Sequence, residues 1–250
     1  MPMGICKFCG TEKVLIESHI IPKCFYQMSK QGSMVTVRPM AKRIDRDPNF
    51  QSGVKEPLLC AVCDNKLGTL DGYANKILFH KVPQLKPIET GICKAYVLGE
   101  GEFDYIKFRR FFISLVWRVS VSNYQFSLGK YEDVSLKILK NLVTDDENLF
   151  LPLIYRKKTG TGVDLVTGIF QRKFLGKRNC VFRFPGYEIV VFINTENSED
   201  KDKMNFYKTM FSKNGIVILE NEKITPLDNQ LMRDILACRG KNVPVVGPRE

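Results

Sequence analysis

Two C-x2-C pairs, Cys6-Lys7-Phe8-Cys9 and Cys60-Ala61-Val62-Cys63, constrain this chain more than any other feature. Two residues between thiolates let a tight turn aim both sulfurs at one ion, and two such turns complete a closed tetrahedral zinc site. A closed site has no open position for chemistry, so the zinc it implies is structural. Gly10, directly after the first pair, suits a knuckle turn that needs a positive φ. The competing reading is a pair of redox-active dithiols, which requires that motif twice in one chain. The other cysteines, Cys24, Cys93, Cys180 and Cys238, stand alone among apolar neighbours and read as small buried thiols. A disulfide framework is not expected, because Met1-Pro2-Met3-Gly4 does not open a secretion signal and the chain is long for a disulfide-stapled domain.

Between the knuckles, Lys13-Val14-Leu15-Ile16-Glu17-Ser18-His19-Ile20-Ile21-Pro22 is an apolar, β-branched run ended by proline, which predicts a strand leading into a turn. It carries His19, one of the chain's 2 histidines. A short strand is expected over 34–37, then a basic loop over 38–53. Its cations Arg38, Lys42, Arg43 and Arg46 are candidate nucleic-acid contacts. After the second knuckle, Leu67, Leu70, Ala74, Ile77 and Leu78 recur at three- and four-residue steps and predict a helix over 64–79. His80 ends that helix and reads as a C-terminal cap or surface residue.

The order knuckle, Glu-Ser-His-Ile-Ile-Pro strand, loop, knuckle and helix resembles the zinc-containing HNH endonucleases, the ββα-metal group built on a treble-clef-like scaffold. The resemblance ends with the helix after Cys63. It implies that His19 is the general base, deprotonating a water in line with a phosphodiester. It also implies a second ion, Mg²⁺ or Mn²⁺, to neutralise charge at the phosphate and leaving oxygen. Three departures stand out. The family's metal-ligand position before the base is Ser18, with Glu17 adjacent and available if a local bulge turns it. The family's asparagine falls near Lys55. The histidines that often follow the second pair are replaced by Asp64 and then Leu67 and Gly68. Asp64 and Asp71 are the candidate replacement ligands, with Asn65 a weaker one, since a carboxylate suits a hard ion. The alternatives are ordinary: Asp64 as a helix cap and Asp71 as a solvent-facing side chain.

Past a junction near 83–89 and a second at 97–104, the composition changes. Helices are expected over 105–122 and 131–143, with Arg109, Arg110 and Arg118 interrupting the apolar face of the first. Strands follow over 153–156, 163–170, 181–184, 188–194 and 215–219. A charged loop over 197–204, a closing helix over 227–238 and a loose tail over 240–250 complete the reading. The expected fold class is α+β, with a zinc-stapled module in residues 1–98 and a second domain of helices and an antiparallel sheet in 99–250. The basic groups Arg156-Lys157-Lys158, Arg172-Lys173, Lys177-Arg178 and Arg183 are either a solvated strand face or grips for phosphates.

A formal charge of +11 is compatible with a polyanionic partner, although it also keeps a protein soluble. No run approaches the roughly 18 apolar residues of a membrane span, so the chain reads as soluble and cytoplasmic. The expectation is a metal-dependent nuclease acting on DNA. The resemblance extends to effectors of anti-phage defence and toxin systems. Two other readings stay open. One is a zinc-stabilised nucleic-acid- or protein-binding module without a catalytic metal, consistent with Ser18, Lys55 and Gly68. The other is a protein that works in a complex, by self-association or by docking the apolar helix at 108–119 on a partner such as an ATPase.

Overall fold

The structure, a computed structural model, describes residues 2–25, 35–37, 55–89, 93–123, 127–144, 146–156, 165–167, 170–184 and 186–220. The basic loop carrying Arg38, Lys42, Arg43 and Arg46, and the helix and tail expected after 226, lie outside the described residues. The N-terminal run does not form one long strand. β1 (Met3–Ile5) and β2 (Glu12–Val14) make a hairpin around the first knuckle, with Met3 opposite Val14. Leu15 is buried, and the chain then pairs elsewhere: β3 (Ile16–His19) runs antiparallel to β5 (Lys55–Leu59). Between them, β4 (Val35–Val37) pairs in parallel with β9 (Leu165–Thr167).

β5 leads directly into α1 (Ala61–Asn75), so the helix begins three residues before the expected 64. It buries Cys63, Leu67 and Ala74, then widens into one π turn over Lys76–Lys81. After β6 (Ile88–Glu89) and β7 (Lys94–Gly99) comes α2 (Tyr105–Ser120), capped by the Asp104 carboxylate, which accepts from the Lys107 amide at 2.9 Å. Every residue of α2 from Phe111 to Val119 is buried. A helix apolar on all sides belongs in the middle of a protein. The helix expected to dock on a partner is therefore occupied inside the molecule.

α3 (Tyr131–Leu139) is followed by β8 (Leu149–Arg156), the β10 (Phe170–Phe174) and β11 (Lys177–Phe184) hairpin, and β12 (Tyr187–Asn194). Next come α4 (Lys201–Met210), β13 (Phe211–Ser212) and β14 (Gly215–Glu220). The main sheet has 8 strands in the order β10-β11-β12-β8-β14-β7-β6, with β13 alongside β14. Its pairings are antiparallel except β14 with β8. α4 corrects the charged loop expected over 197–204. Asp200 caps it, and Met204, Tyr207 and Met210 recur every three residues on its buried side, so the charges are the solvent face of a helix.

The boundary expected at 98 falls inside β7, and the two halves share one core. Phe8 of the first knuckle meets Trp117 of α2 edge-on at 5.6 Å, and Phe25 stacks on Phe111 at 5.5 Å. Among the described residues, no helix is long and apolar enough to cross a membrane.

Candidate metal centre and the His19 strand

The first knuckle is a backbone turn. The Gly10 amide donates to the Cys6 carbonyl at 2.8 Å, the Cys6 amide to Thr11 O at 3.0 Å, and Gly10 takes a φ of 79°. That left-handed angle is the one expected of a glycine there. The second knuckle is a helix start: Cys60 is extended (φ −76°, ψ 158°) at the N-cap of α1, and Cys63 lies in its first turn. Two contacts join the knuckles. The Cys60 amide donates to Cys6 Sγ at 3.3 Å, and the Lys7 amide donates to Leu58 O at 3.0 Å. Leu58 is the unpaired residue of a bulge in the β3–β5 ladder, which skips from Ile16–Leu59 to Glu17–Pro57. The bulge frees its carbonyl to hold the knuckle.

The sulfurs of Cys6, Cys9, Cys60 and Cys63 lie within 4.8 Å of one another. A tetrahedral ion with about 2.3 Å bonds to sulfur places its ligands about 3.8 Å apart, so the cluster could hold a metal ion. Cys6, Cys60 and Cys63 are buried and Cys9 is half-buried. Bonds from the Thr11 hydroxyl and amide bring the Cys9 thiol down to about 6. The Cys63 amide lowers Cys60, and burial raises Cys63. Metal binding to such a set displaces the protons that remain.

Along β3, Glu17 is exposed, Ser18 is 0% exposed and His19 is half-buried. Strand alternation therefore puts Glu17 and His19 on one face and Ser18 on the other. The bulge lies in β5, so it does not turn Glu17, which shares the face of His19 by ordinary alternation. Ser18 is directed inward, and its hydroxyl donates to Ile16 O at 3.4 Å. Lys55 sits directly opposite His19 in the ladder, where the resemblance calls for asparagine.

Asp71 is largely shielded from solvent and held in an ion pair. Arg118 of α2 grips it with both terminal nitrogens, at 2.9 and 2.7 Å, and the same guanidinium donates to the His19 carbonyl at 3.2 Å. Asp64 lies in the first turn of α1, where its charge suits the helix dipole, but no side chain caps that helix. Among the described residues, the four cysteines are the one cluster of three or more histidine, cysteine or acidic groups close enough for a metal. Glu17, Asp64 and Asp71 are thus not gathered around His19. His80 is exposed beside Asn75, as expected for a surface residue. Cys24 is a thiol whose pKa burial and the Asp71 carboxylate push up to about 11.

The buried arginines are the structural feature around the site that residue patterns understated. Arg109 donates to the carbonyls of Asp146 and Leu149, and Arg118 joins β3, α1 and α2. Their signal was the interruption of an apolar helix face, since a buried guanidinium must find acceptors. Comparison with protein-family profiles, with curated proteins and with solved structures found no match to this chain.

Proposed function

We propose that the chain is a metal-dependent endonuclease of the HNH type that hydrolyses phosphodiester bonds in DNA, with a zinc-stapled, treble-clef-like ββα module. The observation that carries this reading is one arrangement. A four-cysteine cluster joins a hairpin turn to a helix start, two antiparallel strands lie between, and half-buried His19 lies on the first of them, on the face opposite buried Ser18. Four sulfur donors suit structural zinc. His19 accepts the proton of an attacking water, a role for which imidazole is suited near neutral pH. Lys55 across the ladder adds positive charge for the substrate phosphate. Mg²⁺ and Mn²⁺ take few protein ligands and complete their shell with water and substrate phosphate, and Glu17 is the carboxylate on the His19 face that would hold one. Such an ion supplies charge neutralisation at the phosphoryl and leaving oxygens.

The test is cleavage of duplex DNA by the purified chain across Mg²⁺, Mn²⁺ and Ca²⁺, with elemental analysis of the same samples. His19→Ala is expected to abolish cutting while the zinc content stays at one ion per chain. Equal cutting by the variant sinks the assignment of the base. The inward Ser18 and the committed Asp71 favour a second reading, a zinc-stabilised binding module without catalysis. It predicts DNA binding by the wild type with no cutting in any of the three ions. A place in anti-phage defence or as a toxin belongs to the first reading alone.

A further inference from the structure

Away from the cysteine cluster, an open cleft of about 530 Å³ lies between the start of α3 and the ends of β11 and β12. Its charged lining is Lys130, Lys177, Arg178 and Glu196, three cations against one carboxylate, with Tyr131, Asn194 and Asn197 as neutral polar neighbours. Two hydrogen bonds hold its walls together. Arg178 donates to Ser127 O at 2.5 Å, and Asn194 donates to the Tyr131 hydroxyl at 2.8 Å. The cations are thus set on a preformed frame. Lys130 lies over the Tyr131 ring at 5.2 Å, and neither Lys130 nor Lys177 has a carboxylate partner among the described residues.

The lining favours a phosphate over a base. Leu128 and Ile193 are its aliphatic contributors, whereas small-molecule pockets are mostly apolar. The first amides of α3 are already used, Tyr131 N on Leu128 O and Glu132 N on Gly129 O. Attraction for an anion must therefore come from the side chains. α3 also connects this cleft to the first knuckle. Lys140, at its far end, lies over the Phe8 ring at 5.6 Å, and Lys66 approaches the same ring at 5.3 Å. From the N-cap Lys130 to the C-cap Lys140 the helix rises about 15 Å, or about four base steps at 3.4 Å each.

The geometry points to a backbone-phosphate site for nucleic acid in this cleft, with duplex DNA lying along α3 towards the knuckle. The inference rests on the nucleic-acid reading above and not on catalysis. Phosphate contacts of this kind position a duplex without reading its sequence.

The experiment is fluorescence anisotropy with a fluorescein-labelled DNA duplex, without added divalent ion, over a series of salt concentrations. Lys130→Ala/Lys177→Ala is compared with Lys86→Ala/Lys213→Ala, which removes the same charge from exposed positions outside the cleft. Two lost phosphate contacts lower the slope of log K against log salt by about 1.8, or up to about 60-fold in affinity over the decade from 1 M to 0.1 M. Lys130→Arg/Lys177→Arg should restore both slope and affinity. A cleft variant that loses no more affinity than the control pair overturns the proposal. So does ATP or inorganic phosphate binding that the cleft variant abolishes while duplex binding is unchanged, which would mark a small-molecule phosphate pocket. If the wild type never cuts but the cleft variant still loses DNA binding, the nuclease reading fails and this site stands.

Discussion

Removing the Asp71 carboxylate should destabilise the protein more than removing a solvent-facing side chain would. The Arg118–Asp71 pair is bidentate, and its side chains are 4% and 17% exposed. Asp71→Ala leaves a buried guanidinium with the His19 carbonyl and weaker contacts to Ser114, both at 3.4 Å. Breaking a buried pair this way costs about 3–5 kcal/mol. At roughly 2–4 °C per kcal/mol for a domain of this size, the melting temperature should fall by about 6–20 °C. Arg118→Met should cost less, because Asp71 is the more exposed partner and can rehydrate. Arg118→Met/Asp71→Leu should recover most of the loss, since an apolar pair of similar volume removes both desolvated charges. The assay is urea and thermal unfolding of metal-loaded protein. An Asp71→Ala variant within about 0.5 kcal/mol of wild type, the range of an ordinary surface change, would refute the buried-anchor argument. If that variant kept its stability but lost divalent-ion-dependent cutting, Asp71 would be a ligand after all.

Three further outcomes follow from the same packing. Trp117 is the 1 tryptophan of the chain and touches Phe8 of the first knuckle, so stripping metal with a chelator, or Cys60→Ser, should change its fluorescence; an unchanged spectrum with metal demonstrably lost would separate the knuckle from the core. Burial pushes the Tyr207 hydroxyl up from 10.0 to about 12. Its neutral form is favoured in the fold, so that stability is full below pH 10 and is lost as pH rises through about 12. Absorbance at 295 nm should show ionisation lagging in the folded protein, and Tyr207→Phe should remove that part of the lag. A fragment of residues 1–98 should not fold even with zinc, because it lacks Phe111, Trp117 and Arg118, on which the module's Phe25, Phe8 and Asp71 depend; a cooperative melt of the zinc-loaded fragment would contradict this.

What could be read from residues alone was local. The two C-x2-C pairs carry donor type and spacing within four residues each, so their convergence needed only a turn and a helix start. The helix at 105 announced itself by apolar residues at helical steps, and the strand expected over 188–194 by a nearly unbroken apolar run. What residues alone could not supply was partners distant in sequence. The fate of Asp71 was decided by Arg118, 47 residues later, and a carboxylate on a helix looks the same whether it faces water, a metal or a guanidinium. The two glycines near residue 100 suggested a linker, but Gly99 ends a strand of the main sheet and Gly101 turns the chain (φ 76°) into α2. The charged residues from 200 to 203 hid α4, because its buried side needs only one residue in three.

The partner of Asp71 belongs to α2, a helix that is itself easily misjudged. An apolar helix with arginines on it looks, in sequence, like a surface waiting for a partner. Here its apolar side chains receive the first knuckle and the sheet at once, and Arg118 reaches back to the backbone of the strand that carries His19. The four-cysteine module and the main sheet are therefore not separate units, one appended to the other. The backbone carbonyl of His19 accepts a hydrogen bond from Arg118, a residue of the second half. Changes in α2 should alter the position of that histidine before they alter the metal, whose four sulfurs are supplied entirely by the first half.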